Sequence, residues 1–144
     1  MSQANVPAWE VGHYASVFCN AAAGSNLGLV ADGAFDRGAK VPANGANTTV
    51  VNFKGITRKS VAAGAKGDVA LHPGDIAVAF ANGAIAAGAT VFLTSADAGK
   101  EGMLKSYTSF GADGVVFIVG VAETPAADGE IFEVRLQGLY LKTA

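Results

Sequence analysis

Few residues in this chain could do chemistry, and they are scattered. The 144 residues include two histidines, His13 and His72, one cysteine, Cys19, and 12 acids. A metal centre needs three or four ligands, and neither histidine has a carboxylate or thiol at ligand spacing. His72 precedes Pro73-Gly74 and reads as a turn residue. Cys19 lies in the apolar run Val17-Phe18-Cys19, the setting of a buried, inert thiol rather than a nucleophile. A single cysteine also excludes an intramolecular disulfide. Asp97 and Glu101 flank Lys100, and Glu123, Asp128, Glu130 and Glu133 gather near the last connection. A glycosidase needs two carboxylates facing one sugar; solvated turns and strand edges explain these acids more simply. No nucleophile elbow, Walker-type loop or dinucleotide fingerprint is present. Gly64-Ala65-Lys66-Gly67 lacks the flanking strand and helix of an anion nest. The expectation is a chain without catalytic, cofactor or metal residues.

The elements around these residues are strands and turns. In Pro73 to Leu93 the large Ile76, Val78 and Phe80 alternate with Ala77, Ala79 and Ala81. That is the two-residue period of a strand. Asn82-Gly83 fits a two-residue hairpin turn, with a short return strand over 84–86 and another strand over 90–94. Further strands are expected at 14–20, 27–31, 34–40, 48–53, 69–72, 115–122, 131–136 and 139–142. The segment 55–60 continues the strand before it or turns away. The small-residue segment 62–68 reads as a loop, and 103–110 as a helical turn or an irregular strand. Asn-Gly and Asp-Gly pairs at Asp32, Asn44, Asn82, Asp113 and Asp128 punctuate the series. Short alternating strands between turn signals indicate an all-β fold, a small sandwich or barrel-like domain with many Gly turns and little helix. Residues 1–12 read as an extended arm and 13–144 as one β-rich domain.

An echo runs at an offset of about 65 residues. Gly55-Ile56-Thr57 resembles Gly120-Val121-Ala122, Gly64 meets Gly129, Val69 meets Val134, and Leu71 meets Leu136. Coincident turn chemistry produces such a pattern; so do two related β-hairpin units packed together.

Composition narrows the partners. The chain has 19 glycines, 15% charged residues and a formal net charge of −2. The densest basic group, Arg58-Lys59 with Lys54 and Lys66, is too thin for a nucleic-acid stripe. No secretory signal or membrane-spanning run is visible. A sparsely charged surface suits a chain covered by a partner, against a monomeric Gly/Ala-rich β domain. Trp9 on the arm anchors to its own domain or to a neighbouring subunit.

The elements Gly55-Ile56-Thr57, Val61-Ala62-Ala63-Gly64, Val69-Ala70-Leu71, Pro73-Gly74-Asp75 and Gly83 to Val91 are followed by Val119-Gly120-Val121-Ala122 and Gly129-Glu130-Ile131-Phe132-Glu133-Val134-Arg135-Leu136. Together they resemble the capsid decoration, or cement, proteins of tailed bacteriophages over about residues 50 to 136. Gly129-Glu130 stands where Gly-Asp is more usual. The resemblance implies a β-tulip-type domain on the outer surface of a virion capsid, made in a host cytoplasm. It implies bridging of major capsid protein subunits, stabilisation of the shell against packaged DNA, and a homo-oligomer, foremost a trimer, with no direct nucleic-acid or membrane contact. On this reading Asn5, Val6, Pro7, Ala8 and Trp9 contact the capsid. Phe80, Ile85, Val91, Phe92, Leu139 and Tyr140 contact neighbouring copies. A carbohydrate-binding or adhesion module using Trp9, Tyr14 and Tyr107 is the alternative, and a small hydrolase using the acids of 123–133 a remoter one.

Overall fold

A computed structural model describes residues 14–45, 52–94, 97–107 and 115–143, with side chains for all but 115–116 and 138–143. The expected all-β class is observed: the described residues form ten strands and no helix. The strands are β1 (Tyr14–Cys19), β2 (Gly28–Ala31), β3 (Ala39–Lys40), β4 (Phe53–Thr57), β5 (Ala65–Ala70), β6 (Ile76–Phe80), β7 (Thr90–Leu93), β8 (Leu104–Ser106), β9 (Val115–Ala122) and β10 (Ile131–Thr143).

They form two five-stranded sheets, ordered β1-β5-β4-β2-β3 and β6-β10-β9-β7-β8. Adding five to each label of the first gives the second, so the chain is a tandem repeat. The registers agree residue by residue. In the first sheet Gly28, Leu29 and Val30 face Ile56, Gly55 and Phe53, with an irregularity after Leu29. In the second, Thr90, Val91 and Phe92 face Val121, Gly120 and Ile118, with an irregularity after Val91. The connecting bonds repeat as well. Gly64 N–H donates to the Cys19 carbonyl at 2.8 Å, and Gly129 N–H to the Ala81 carbonyl at 2.9 Å. The amides of Ala23 and Val61 exchange bonds, as do those of Ile85 and Ala126. Gly64 and Gly129 have φ of 76° and 80°, a left-handed turn conformation that glycine adopts without a Cβ penalty. The echo read from the sequence is therefore a duplication of a whole five-stranded unit, not of a hairpin.

Several boundaries differ from the expected ones. The loop expected over 62–68 is mostly β5, because Ala65, Gly67 and Val69 pair with β1 despite their small size. The return strand expected over 84–86 reduces to a bridge at Ile85, since β6 pairs with β10 instead of a hairpin partner. The ambiguous 103–110 contributes β8. The two closing strands are one, β10, bent by an irregularity between Leu136 and Tyr140. Residues 46–51, most of the expected 48–53 strand, lie outside the described residues.

Each sheet curls until its outer strands approach. Phe18 bridges Gly38 in the first sheet and Ala81 bridges Leu104 in the second. Such curling hides strand edges. The first unit encloses Val17, Cys19, Leu29, Ala39, Val61 and Val69. A larger cluster joins Val30, Phe53, Ile56 and Ala70 of the first unit to Leu93, Leu104, Val119, Val134 and Leu136 of the second. Each such Leu, Val or Ile contributes about 1.5–3 kcal/mol on burial. Gly28 N–H also donates to the Gly102 carbonyl across the units at 2.7 Å.

β6 alternates as expected, but its methyl face is the buried one. Ala77, Ala79 and Ala81 lie in the core while Ile76 and Val78 are exposed. The inside of a tightly curled sheet is narrow, so small residues on one wall accommodate Leu93, Leu104 and Leu136 on the others.

Candidate functional site

Five of the six acids singled out above, all but the exposed Glu133, cap turns or pair with cations. Asp128 accepts from Gly83 N–H at 2.8 Å and pairs with Lys100 at 3.0 Å. These contacts, the Gly83 amide foremost, hold its carboxyl below the usual range. Asp97 accepts from the Asn82 amide at 2.8 Å and lies 3.7 Å from Lys105. The Asn82 hydrogen bond is the main cause of its lowered pKa. Glu101 accepts from Gly99 N–H at 3.1 Å, and Glu130 from Ala127 N–H at 2.8 Å. Glu123 pairs with Arg135. Asp97 and Asp128, whose ionised forms are favoured in this way, are poor general acids. Burial raises the pKa of the Cys19 thiol, which removes the thiolate a nucleophile requires. Among the described residues no cluster of three or more His, Cys, Asp or Glu could hold a metal ion.

The expected contact residues fall into three groups. Asn5, Val6, Pro7, Ala8 and Trp9 lie outside the described residues. Leu139 and Tyr140 lie on β10, which pairs with β9 there, and their side chains lie outside the described ones. Of the remaining four, Phe80 is half-buried, while Ile85, Val91 and Phe92 are 3%, 0% and 3% exposed. These three correct the sequence reading: large apolar residues suit a core as well as an interface, and here their own chain already covers them. Ile85 and Val91 belong to the joint core, and Phe92 packs with Ile118 against Tyr107. Of the aromatic residues considered for sugar stacking, Tyr14 lies under Arg58, whose guanidinium is 4.7 Å from the ring centroid. Tyr107 meets Phe92 edge-on at 6.3 Å.

What remains open is the outer surface. Four large apolar side chains are exposed among the described residues: Phe35, Ile76, Val78 and Ile131, at 39%, 41%, 37% and 54%. Sequence reasoning missed Phe35. The loop holding it is tightly built: Asp32 caps Ala34 N–H, Gly38 N–H donates to the Phe35 carbonyl, and Arg37 sits at φ 53°. Phe35 lies 5.3 Å from Phe18, centroid to centroid. The two rings, with Ser16, Asp36, Arg37 and Lys66, line a shallow cleft of about 400 Å³. A second cleft, about 200 Å³, shares Lys66 and adds Arg58, Lys59 and Asp68.

No protein-family model matches the chain, and no curated protein does. Among solved structures it is similar to the N base of head fiber protein gp8.5 of bacteriophage phi29. The identity is 14%, the TM-score 0.59, and the likeness covers 86% of this chain and 92% of that one. At that identity the likeness is one of fold.

Proposed function

We propose that this chain is a structural component of a tailed-phage head, carried on its outer surface as a decoration protein, with no catalytic role. The observation that carries the reading is the shared fold with a phage head fiber base over most of both chains. Two further features support it. Asp97, Glu101, Glu123, Asp128 and Glu130 are engaged in turns and ion pairs, and the exposed apolar residues lie on the outer surface. A binder of this kind needs a rigid body and surface contacts rather than a reagent. The partner is the major capsid protein, whose neighbouring subunits the chain bridges to stabilise the shell. The arm residues Asn5 to Trp9 are the proposed capsid contact, by addition of an extended segment to a sheet edge. A homo-oligomer, foremost a trimer, multiplies weak contacts through effective concentration.

The test is addition of purified protein to heads that lack it. The expected result is saturable binding at a fixed ratio to shell subunits and a raised head melting temperature. Failure to bind any expanded head overturns the reading.

A further inference from the structure

The duplication exposes a second property, because the two units carry opposite charge on the same backbone. Residues 14–75 hold six basic and four acidic side chains, a net +2; residues 76–144 hold four basic and seven acidic, a net −3. The difference concentrates on corresponding faces. In the first unit the outer face of β1 and β5 has Phe18 opposite Lys66 and Ser16 opposite Asp68. Phe35 extends this face, and the two clefts beside it gather Arg37, Lys66, Lys59 and Arg58 against Asp36 and Asp68. In the second unit the matching face of β6 and β10 has Phe80 opposite Ile131, Val78 opposite Glu133 and Ile76 opposite Arg135. Glu123, Asp128, Glu130 and Glu133 border it, against Arg135 and Lys100. One face carries Phe18 and Phe35 inside a basic border; the other, with Ile76, Val78 and Ile131 beside the half-buried Phe80, is mostly aliphatic inside an acidic border. All four large apolar residues exposed among the described residues lie on these two faces.

We infer that the two faces dock on each other between copies of the chain. The β1/β5 face of one copy meets the β6/β10 face of the next, head to tail. Like faces would repel, so a two-fold contact through either face alone is disfavoured. A head-to-tail contact closes into a ring where the rotation allows and otherwise extends as a filament. Apolar centres inside charged borders suit such an interface. The inference deepens the reading above by naming the oligomer contact, and does not depend on whether the chain binds heads.

The test is the mass of the protein in solution, by light scattering and native mass spectrometry. Wild type is expected to associate in about 0.1 M salt and to weaken by about tenfold near 1 M, where the screening length falls from about 10 Å to 3 Å. Lys66→Glu and Glu133→Lys change exposed side chains with no hydrogen-bond partner among the described residues. Each alone is expected to weaken association about tenfold, and the two reversals combined in one chain to recover it. Circular dichroism confirms folding of each variant, and the salt series on wild type decides the matter should either fail to fold. A monomer at 0.1 M salt and about 0.1 mM protein overturns the inference, as does association indifferent to salt and to both reversals. Head binding by such a monomer would sink this inference and leave the proposed function standing.

Discussion

The first and second five-stranded units follow one path with different side chains. Their strand order, irregular register and turn bonds coincide, while their surfaces and polar anchors do not. What they share sits where the backbone has no choice. A Cβ on Gly120 would lie 2.0 Å from the Arg135 carbonyl oxygen, and one on its counterpart Gly55 would lie 2.8 Å from the Ala70 carbonyl oxygen. What differs sits where space is free. Thr57 is buried in the first unit, where its hydroxyl donates to the Gly24 carbonyl at 2.6 Å and accepts from Leu27 N–H at 3.0 Å. Its counterpart is Ala122, with no hydroxyl at all. Close approaches and turns define this fold, and the exposed faces are free to specialise.

The largest effects are expected at the glycines. Gly120→Ala sets a methyl against backbone and is expected to cost about 4 kcal/mol or more, enough to unfold a marginal domain. Gly55→Ala, at φ 118° and with Val69 within 2.7 Å, is expected to cost about 3 kcal/mol. Urea denaturation measures both. A cost below about 1 kcal/mol at Gly120 would mean that β9 and β10 approach less closely than described. Next come the cores. Leu29→Ala in the first unit and Leu136→Ala in the joint cluster are each expected to cost about 2–5 kcal/mol. Both should shift one common transition, followed by near-ultraviolet circular dichroism and by the reactivity of Cys19, buried in the first unit. Two separated transitions would show that the units fold independently.

Smaller effects sharpen the contrast. Asn82 is buried and donates to Asp97, so Asn82→Ala is expected to cost about 1–2 kcal/mol. Its counterpart Asn20 is exposed, and Asn20→Ala is expected to change stability by less than about 0.5 kcal/mol. Equal costs at the two sites would contradict the asymmetry. The smallest effect concerns pH. The folded pKa of Asp97 lies below its unfolded value, so its contribution is present above about pH 4 and is lost as the pH falls through the folded value. Being half-exposed, it contributes less than about 1 kcal/mol. Asp97→Asn should flatten the stability profile below about pH 4, and an unchanged slope would remove Asp97 from the account.

Much of this was legible in the residues, and the gaps have physical causes. Alternation and turn pairs exposed the β class, and Gly55/Gly120, Gly64/Gly129, Val69/Val134 and Leu71/Leu136 exposed half of the duplication. The other half was hidden because its offset is 62 residues, not 65. The three additional residues lie between β7 and β8, and matched core positions such as Leu29 and Val91, or Val30 and Phe92, share apolarity rather than identity. The inward face of β6 was illegible because alternation is the same whichever face is buried. Ile85, Val91 and Phe92 were misplaced for a related reason: burial in a core and burial in an interface ask for the same side chains. Phe35 was missed because its exposure depends on a loop held by Asp32 and Gly38, which no periodicity announces.

The proposed role is surface contact on a phage head. Electron cryomicroscopy of heads incubated with the purified protein tests that most directly. The expected result is density on the outside of the shell, at repeated positions between capsid subunits, into which the paired five-stranded units fit. Bare shells at saturating protein, or density confined to the interior, would contradict it.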